Sequence, residues 1–342
     1  MTAEDVTNPA RTAVGTAVGT AVGTAVGTAT EPVVDTDPVG APGAAPEVAP
    51  AAGPAPAPDL AHPVPISLSP SSMGTFTSCP LAFRFGYIER LPEPPSAPAS
   101  KGTLVHLALQ YLMWRPAAER TLEAALGDLD RAAADVAAHP EFADLDLTDE
   151  EWATFHADAA VLVRRYFEME DPREVTVLGV ELRVSAKTSD GVTIRGIIDR
   201  LELDANGDLV VTDYKTGSAP SEGWEQKSMA GVHIYSLLCE RMFGRRPARV
   251  QLLYLSKPER IITAPSDQSL RGVEVKTNAV MNAVRQACKR DDFRPRTSAL
   301  CNYCSFQEFC PEFGGKPELA RPTLLAREAE REGRPQLPLV FA

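Results

Sequence analysis

The sequence predicts an α/β fold in which a mixed β-sheet core is flanked by helices. Apolar residues recur at the helical spacing of about 3.6 between residues 103 and 169, and runs rich in Val, Ile and Leu then follow between 175 and 214. After these strands the pattern changes again to a helix, two strands and a long helix. Because helices precede and follow the consecutive strands in the sequence, the pattern indicates a mixed sheet with helices packed against it.

Ordered structure is expected to begin near Ile66. Ser69 and Ser72 can cap a short helix that ends near Cys79, because serine oxygens accept the free N–H groups of a first helical turn. The Pro-rich segment 91–100 is predicted to be a loop. The other predicted elements are helices at about 103–114, 119–138 and 149–169, strands at 175–186, 192–203 and 209–214, a helix at 225–242, strands at 249–255 and 260–263, and a helix at 269–289.

The two ends of the chain have a different composition from its centre. Residues 12–27 repeat Thr-Ala-Val-Gly four times, and Pro, Ala and Gly dominate 31–65. Neither stretch has the periodicity that buries a core, so residues 1–65 are predicted to be a disordered low-complexity tail, or alternatively an arm that binds a partner. The predicted domain spans 66–315, with a helical insertion at about 116–172, and residues 316–342 form a C-terminal extension.

The charge distribution leaves a nucleic-acid partner open. The formal net charge is −12, but the acidic excess lies in residues 1–65 and 123–174, and the rest of the chain is mildly basic. No apolar run is long enough for a membrane span, and no signal peptide is recognisable, so we expect a cytoplasmic protein without a membrane partner. Six cysteines in a reducing compartment suggest metal ligands or buried thiols rather than disulfides.

Two aspartates are predicted to face each other across a β-hairpin. The turn chemistry of residues 204–208 separates two apolar runs, and a hairpin centred on Asn206 places Asp199 opposite Asp213. Like charges at that distance are destabilising unless a cation lies between them, and a divalent metal is the obvious candidate. Lys215 projects to the same face as Asp213 because the strand period is two. The alternative is an ordinary surface Asp–Lys pair, and a register slip of one residue would separate the carboxylates.

Three segments together resemble a known family. Residues 196–200 (Gly-Ile-Ile-Asp-Arg) and 210–217 (Val-Val-Thr-Asp-Tyr-Lys-Thr-Gly) resemble motifs II and III of the RecB-type PD-(D/E)xK nucleases. Residues 101–106 (Lys-Gly-Thr-Leu-Val-His) resemble the upstream helix whose histidine is a metal ligand in that family. The resemblance implies a restriction-endonuclease-like sheet core and a Mg²⁺ or Mn²⁺ site formed by His106, Asp199 and Asp213. It assigns Lys215 to the attacking water and places Glu181 where members often have an acidic residue.

The resemblance is incomplete in the helix after motif III. Members of the family usually have Gln four residues before a Tyr, whereas here Tyr235 is present and Gly231 occupies the Gln position. We expect Tyr235 and His233 to contact substrate, although His233 could equally be a surface histidine. Arg245 and Arg246 belong to basic runs that could bind phosphates, or simply form a solvated face.

A cluster of cysteines lies at the end of the predicted domain. Cys301, Cys304 and Cys310 are close in sequence, and Cys79 is the candidate for a fourth ligand. Four thiolates suit either zinc or an iron–sulfur cluster. One distant cysteine with a C-terminal Cys-x2-Cys-x5-Cys resembles the iron–sulfur staple of AddB and of CRISPR-associated nucleases. That resemblance implies a structural [4Fe–4S] cluster that clamps both ends of the domain together, with zinc as the alternative.

These features predict a metal-dependent DNA exonuclease. The family resemblance implies hydrolysis of phosphodiester bonds at single-stranded ends, in DNA repair or recombination. The alternatives are a catalytically idle DNA-binding subunit of a helicase–nuclease complex and a zinc-stapled regulatory protein. The sequence has no GxxxxGK[ST] phosphate loop, so a helicase motor would have to be another chain.

Overall fold

The computed structural model describes residues 60–219 and 222–331, except for the side chains of 222–231, 330 and 331. Residues 1–59 of the predicted tail and 332–342 of the predicted extension lie outside the described residues. No helix within the described part of the chain is both long enough and apolar enough to cross a bilayer.

The core is a single mixed sheet with strand order β1-β2-β3-β4-β5. The pairs β1–β2, β2–β3 and β4–β5 are antiparallel, whereas β3 and β4 are parallel. This arrangement confirms the predicted mixed sheet, because the helix between β3 and β4 provides the crossover that a parallel pair needs. The strands are β1 (Thr176–Lys187), β2 (Thr193–Leu203), β3 (Leu209–Lys215), β4 (Arg249–Tyr254) and β5 (Glu259–Thr263).

In the sequence, helices precede β1 and follow β5, and a further helix lies between β3 and β4. The α-helices are α1 (Pro70–Ser78), α2 (Pro80–Phe83), α3 (Ala97–Trp114), α4 (Leu122–Val136), α5 (Pro140–Ala143), α6 (Asp149–Met169), α7 (Glu222–Phe243), α8 (Asp267–Arg290) and α9 (Ala320–Arg331). The loop predicted for 91–100 is wrong in its second half, because α3 already begins at Ala97. Pro98 is tolerated in the first turn of this helix, because the N–H group that proline lacks would have no hydrogen-bond partner within the helix at that position.

Two apolar clusters cover the sheet. In one cluster, helices α3, α4 and α6 contribute Leu104, Leu129 and Tyr166, which are buried with Tyr214 and Leu253 of the sheet. In the other cluster, helices α1, α7 and α8 pack with strand residues such as Ile194, Val211 and Leu252. The sheet is therefore buried on both faces, as its near-continuous apolar strands require.

The hairpin between β2 and β3 has the predicted register. The carboxylate of Asp204 accepts the N–H groups of Asn206 and Asp208, and Gly207 adopts a φ of 77°, which favours glycine. The strands pair from Leu203 opposite Leu209 up to Arg200 opposite Thr212. Continued by one residue, this register sets Asp199 against Asp213, so local turn chemistry determines the position of both carboxylates.

A buried guanidinium links this hairpin to helix α6. Arg200 is fully buried and donates hydrogen bonds to Tyr214 Oη at 2.9 Å, Tyr166 Oη at 3.1 Å and Glu170 Oε1 at 2.5 Å. Its Nε also lies against a carboxylate oxygen of Glu202, in an ion pair without hydrogen-bond alignment. Arg200 directly follows Asp199 in the sequence, and Tyr214 directly follows Asp213. The buried network therefore fixes the backbone positions of both aspartates.

We expect the substitution Arg200→Met to lower the free energy of unfolding by about 3–5 kcal/mol, because it leaves the buried carboxylate of Glu202 without its adjacent cation and leaves Glu170 with only the more distant Arg260. Urea denaturation measures this loss. The matched control is Arg173→Met, which removes an exposed ion pair with Asp171 and should leave the stability nearly unchanged. Equal stabilities for the two variants would contradict the role given to the buried network.

Candidate active site

Five ionisable side chains converge where strands β2 and β3 separate. Asp199 is on β2, Asp213 and Lys215 are at the end of β3, Glu181 is on β1, and His106 is on α3. Four of them line one open groove of about 1400 Å³, whereas His106 lies behind Glu181, in a smaller cavity that both residues line. The side chains of the two aspartates and the lysine therefore face the same groove, as the predicted hairpin register requires.

Asp199 is held firmly by the neighbouring strand. Its Oδ2 accepts the backbone N–H of Tyr214 at 2.7 Å, and only 12% of its side chain is exposed. Burial, partly offset by His106 and reinforced by the charge of Asp213, raises the pKa of Asp199 to about 7. A carboxyl group with this pKa holds a proton near neutral pH until a stronger cation replaces it.

His106 presents one ring nitrogen to the carboxylates. Its Nε2 lies 3.0 Å from the carbonyl oxygen of Tyr214, and because a carbonyl only accepts, Nε2 carries the proton. Nδ1 then faces Asp199 Oδ2 at 3.6 Å and Glu181 Oε1 at 3.9 Å. Burial lowers the pKa of His106, but the nearby carboxylates of Glu181, Asp199 and Asp213 outweigh it and raise this pKa to about 8. A backbone partner fixes the ring, so that Nδ1 can bind a metal ion once it has lost its proton, as is usual for a metal-binding histidine.

Glu181 reaches the site through an irregular backbone. Its φ is 47°, in the left-handed region that residues with a side chain rarely adopt, and the pairing of β1 with β2 shifts register nearby, between Val177 and Gly179. Such strain costs on the order of 1 kcal/mol and is found where a side chain must be aimed. Here it accompanies the placement of a third carboxylate beside Asp199.

Lys215 is paired with Asp213. Lys215 Nζ lies 2.5 Å from Asp213 Oδ2, an oxygen that is buried and has no well-aligned hydrogen bond. Burial of the ammonium group lowers the pKa of Lys215, but the negative charge of Asp213 outweighs it, so this pKa is raised. The ammonium group stays protonated and acts as a hydrogen-bond donor and local positive charge, not as a base.

The arrangement fits a divalent metal ion. Donor atoms of His106, Glu181 and Asp199 all lie within 4.8 Å of one another, and no other trio of His, Cys, Asp or Glu does so among the described residues. Two carboxylates and an imidazole suit Mg²⁺ or Mn²⁺. The ligand set predicted from the sequence differs in one member, because Glu181 belongs to this trio whereas Asp213 is paired with Lys215.

Two glycines of the sequence motifs allow close packing around the site. A Cβ added at Gly196 would lie 2.9 Å from the Tyr235 ring, so α7 can place this tyrosine on β2 only because residue 196 has no side chain. Tyr235 lines the groove, and its pKa is raised by burial and by the charges of Asp213 and Asp199, so the phenol remains a donor. At Gly102, an added Cβ would lie 3.1 Å from Thr216 Oγ1.

Three of the residues predicted to bind substrate lie elsewhere. His233 Nε2 is bonded to Thr263 Oγ1 on β5 at 3.0 Å, so the structure turns this ring away from the groove. Arg245 donates to the carbonyl oxygen of Gly207 in the hairpin turn, about 20 Å along β3 from Asp213. Arg246 pairs with carboxylates of Glu240 and Asp267 at 2.6 and 2.7 Å. None of these three residues lines the groove, because local charge spacing does not reveal which end of the sheet a residue occupies, and their substrate role stays a prediction.

The groove also contains arginines that the sequence argument did not select. Arg90, Arg183 and Arg195 line it together with the carboxylates. Strand periodicity could have found two of them, because Arg183 lies two residues after Glu181 and Arg195 four residues before Asp199. No sequence signal indicates Arg90, which precedes Asp199 by 109 residues.

The four predicted cysteine ligands lie near one another at one end of the domain. Burial raises the pKa of the Cys304 thiol, and the neighbouring thiols of Cys79, Cys301 and Cys310 add to this shift. Cys79 lies between α1 and α2, and Arg296 ties the C-terminal segment to α1 through the carbonyl oxygen of Thr77 at 2.8 Å. Cys239 and Cys288 are buried within helices, as predicted.

Comparison with known proteins identifies a family. A family model described as the PD-(D/E)XK nuclease superfamily matches residues 67–311. Among solved structures, the chain is similar to a protein from Eubacterium rectale that is provisionally described as an exonuclease, with 13% identity, a TM-score of 0.47, and coverage of 70% of this chain and 86% of that one. It is also similar to a protein named SSO0001, with 13% identity, a TM-score of 0.35, and coverage of 72% and 86%. No curated protein sequence matches the chain.

Metal binding at this site should release protons and strengthen as the pH rises. The proton on Asp199, with a pKa of about 7, and the proton on His106, with a pKa of about 8, both compete with the ion. We expect the affinity for Mn²⁺ to increase at least about tenfold from pH 6 to pH 8, with roughly one proton released per ion at pH 7. Titration calorimetry in buffers of different ionisation enthalpy measures both quantities. An affinity that is constant over this range would contradict the ligand assignment.

Proposed function

This chain belongs to the PD-(D/E)XK nuclease superfamily, and we propose that it is a metal-dependent DNA exonuclease that acts on single-stranded ends in repair or recombination. The observation that carries the proposal is the convergence of two carboxylates and an imidazole beside a lysine in an open groove.

His106, Glu181 and Asp199 would hold the metal ion, with Asp213 as the further ligand that the family resemblance implies. When bound, a Mg²⁺ or Mn²⁺ ion polarises a phosphate oxygen and lowers the pKa of a water molecule. Lys215, held protonated by Asp213, donates a hydrogen bond that orients the attacking water and offsets charge on the phosphate. Tyr235 stays protonated and can donate to a phosphate oxygen within the same groove.

The substitution Asp213→Asn should reduce cleavage of 5′-labelled single-stranded DNA on the order of a hundred- to a thousandfold, because it removes a charge that both the metal and Lys215 require. The matched control is Asp208→Asn in the same hairpin, an exposed position about 17 Å away, which should cleave normally. Gel analysis of cleavage rates in Mn²⁺ measures the effect. Unchanged cleavage by Asp213→Asn would reject the site.

The mode of attack is tested on the same samples. An exonuclease degrades a linear single strand from an end and leaves a closed circular strand of the same sequence intact. Cleavage of the circle would favour an endonuclease. Wild-type protein that binds DNA in Mn²⁺ without cutting either form would instead support the idle DNA-binding alternative.

The proposed second cofactor is a structural [4Fe–4S] cluster held by Cys79, Cys301, Cys304 and Cys310. In a tetrahedral zinc site with Zn–S bonds of about 2.3 Å, the four sulfurs would lie roughly 3.8 Å apart. No three of these thiols lie within 4.8 Å of one another. The mutual influence of the four thiols and the resemblance of their spacing to the iron–sulfur staple support a group that bridges the start and end of the domain.

Anaerobically purified protein should be brown and contain iron and inorganic sulfide. The substitution Cys304→Ala should remove both and lower the melting temperature, since it breaks the clamp between α1 and the C-terminal segment. Cys288→Ala is the matched control, because that thiol is buried in α8 apart from the cluster, and it should retain iron. Elemental analysis decides the matter, and one zinc per chain without iron would contradict the proposal.

A further inference from the structure

The groove that contains the carboxylates has a second wall. This wall is formed by residues 65–72, which are hydrogen-bonded to β2 through Leu68, and by the segment from Phe83 to Leu91. Between Arg84 and Ile88 the chain forms a π-helical turn, a rare element that is frequent at functional sites. Arg90 follows with a φ of 51°, so this wall, like Glu181 on the opposite side, contains a strained backbone.

Tyr87 presents an aromatic ring on this wall. Its side chain is exposed, and its ring stacks on the fully buried ring of Phe83, with centroids 5.3 Å apart and planes at 22°. The buried ring fixes the orientation of the exposed one. Ile66 and Ile197 line the same groove and are 80% and 42% exposed, which is unusual for large apolar side chains in a charged cleft. Such surfaces suit a ligand with flat apolar faces.

Two cations in the groove have no protein partner among the described residues. The side chains of Arg90, on the wall of Tyr87, and of Arg195, on β2, are exposed. Neither guanidinium group makes an ion pair or hydrogen bond with the described residues. In contrast, Arg84 on the same segment pairs with Glu89 and Asp291. Guanidinium groups left unpaired on both sides of a cleft attract a ligand with repeated negative charges.

We propose that this groove binds one strand of DNA, with a base stacked on Tyr87 and phosphates on Arg90 and Arg195, and that it leads the strand to the carboxylates. The inference rests on the proposed nuclease function and adds the reason for a single-strand preference. The bases of a duplex are paired and stacked on each other, whereas an unpaired strand can offer a base face to a protein ring. Apolar and aromatic surfaces flanked by unpaired arginines are the combination that single-strand binding uses.

Fluorescence anisotropy with labelled oligo-dT in EDTA tests the assignment without cleavage. We expect Tyr87→Ala to weaken binding by about tenfold or more. Tyr87→Phe should bind like the wild type, because the base contacts the flat face of the aromatic ring and not the hydroxyl group. Arg195→Gln and Arg90→Gln should each reduce the slope of log affinity against log salt concentration by about 0.7. Affinity of Tyr87→Ala for a blunt duplex should not change.

The matched control is Arg164→Gln, an exposed arginine of α6 outside the groove, which should retain wild-type affinity and salt slope. Wild-type affinity for oligo-dT in Tyr87→Ala and in both groove arginine variants would overturn the inference, and wild-type cleavage would leave the nuclease function intact. An equal loss on oligo-dT and on duplex in Tyr87→Ala would overturn the stacking contact. Wild-type protein that neither binds nor cuts single strands would instead defeat the proposed function itself.

Discussion

Glu181, Asp199 and Asp213 bring three carboxylates together where β2 and β3 separate, and the surrounding structure must offset their repulsion. In the described residues, His106 faces two of them and Lys215 neutralises the third. Burial raises the pKa of Asp199 to about 7, so this carboxyl group keeps part of its proton at neutral pH in the free site. A divalent cation would take the place of such protons, and the candidate chemistry follows from that exchange.

The carboxylates keep their positions because the residues that follow them in the sequence are anchored in the buried core. Arg200 and Tyr214 are hydrogen-bonded to each other in the buried layer beneath α6, and each follows one of the aspartates in the sequence. Tyr214 also uses its backbone N–H for Asp199 and its carbonyl oxygen for His106. One buried tyrosine thus positions ligands from β2 and α3, which makes the site a product of core packing rather than of flexible loops.

The sequence was sufficient for features that local chemistry determines. The mixed sheet is confirmed, and the turn at residues 204–208 is enough to predict the β2–β3 register and the opposition of Asp199 and Asp213. Positions that depend on tertiary packing could not be predicted in this way. Arg245 and Arg246 are close in sequence to the site helix but pair with other groups, and the left-handed backbone of Glu181 has no signal in residue type. The assignment of the metal ligands and of the cysteine cluster remains a prediction.

A crystal soaked with Mn²⁺ tests the central claim most directly, since anomalous scattering locates that ion without regard to activity. The account predicts a strong peak within bonding distance of His106 Nδ1 and of carboxylate oxygens of Glu181 and Asp199. A Mn²⁺ ion bound away from these three residues, or no ion at millimolar concentration above pH 8, would contradict the account.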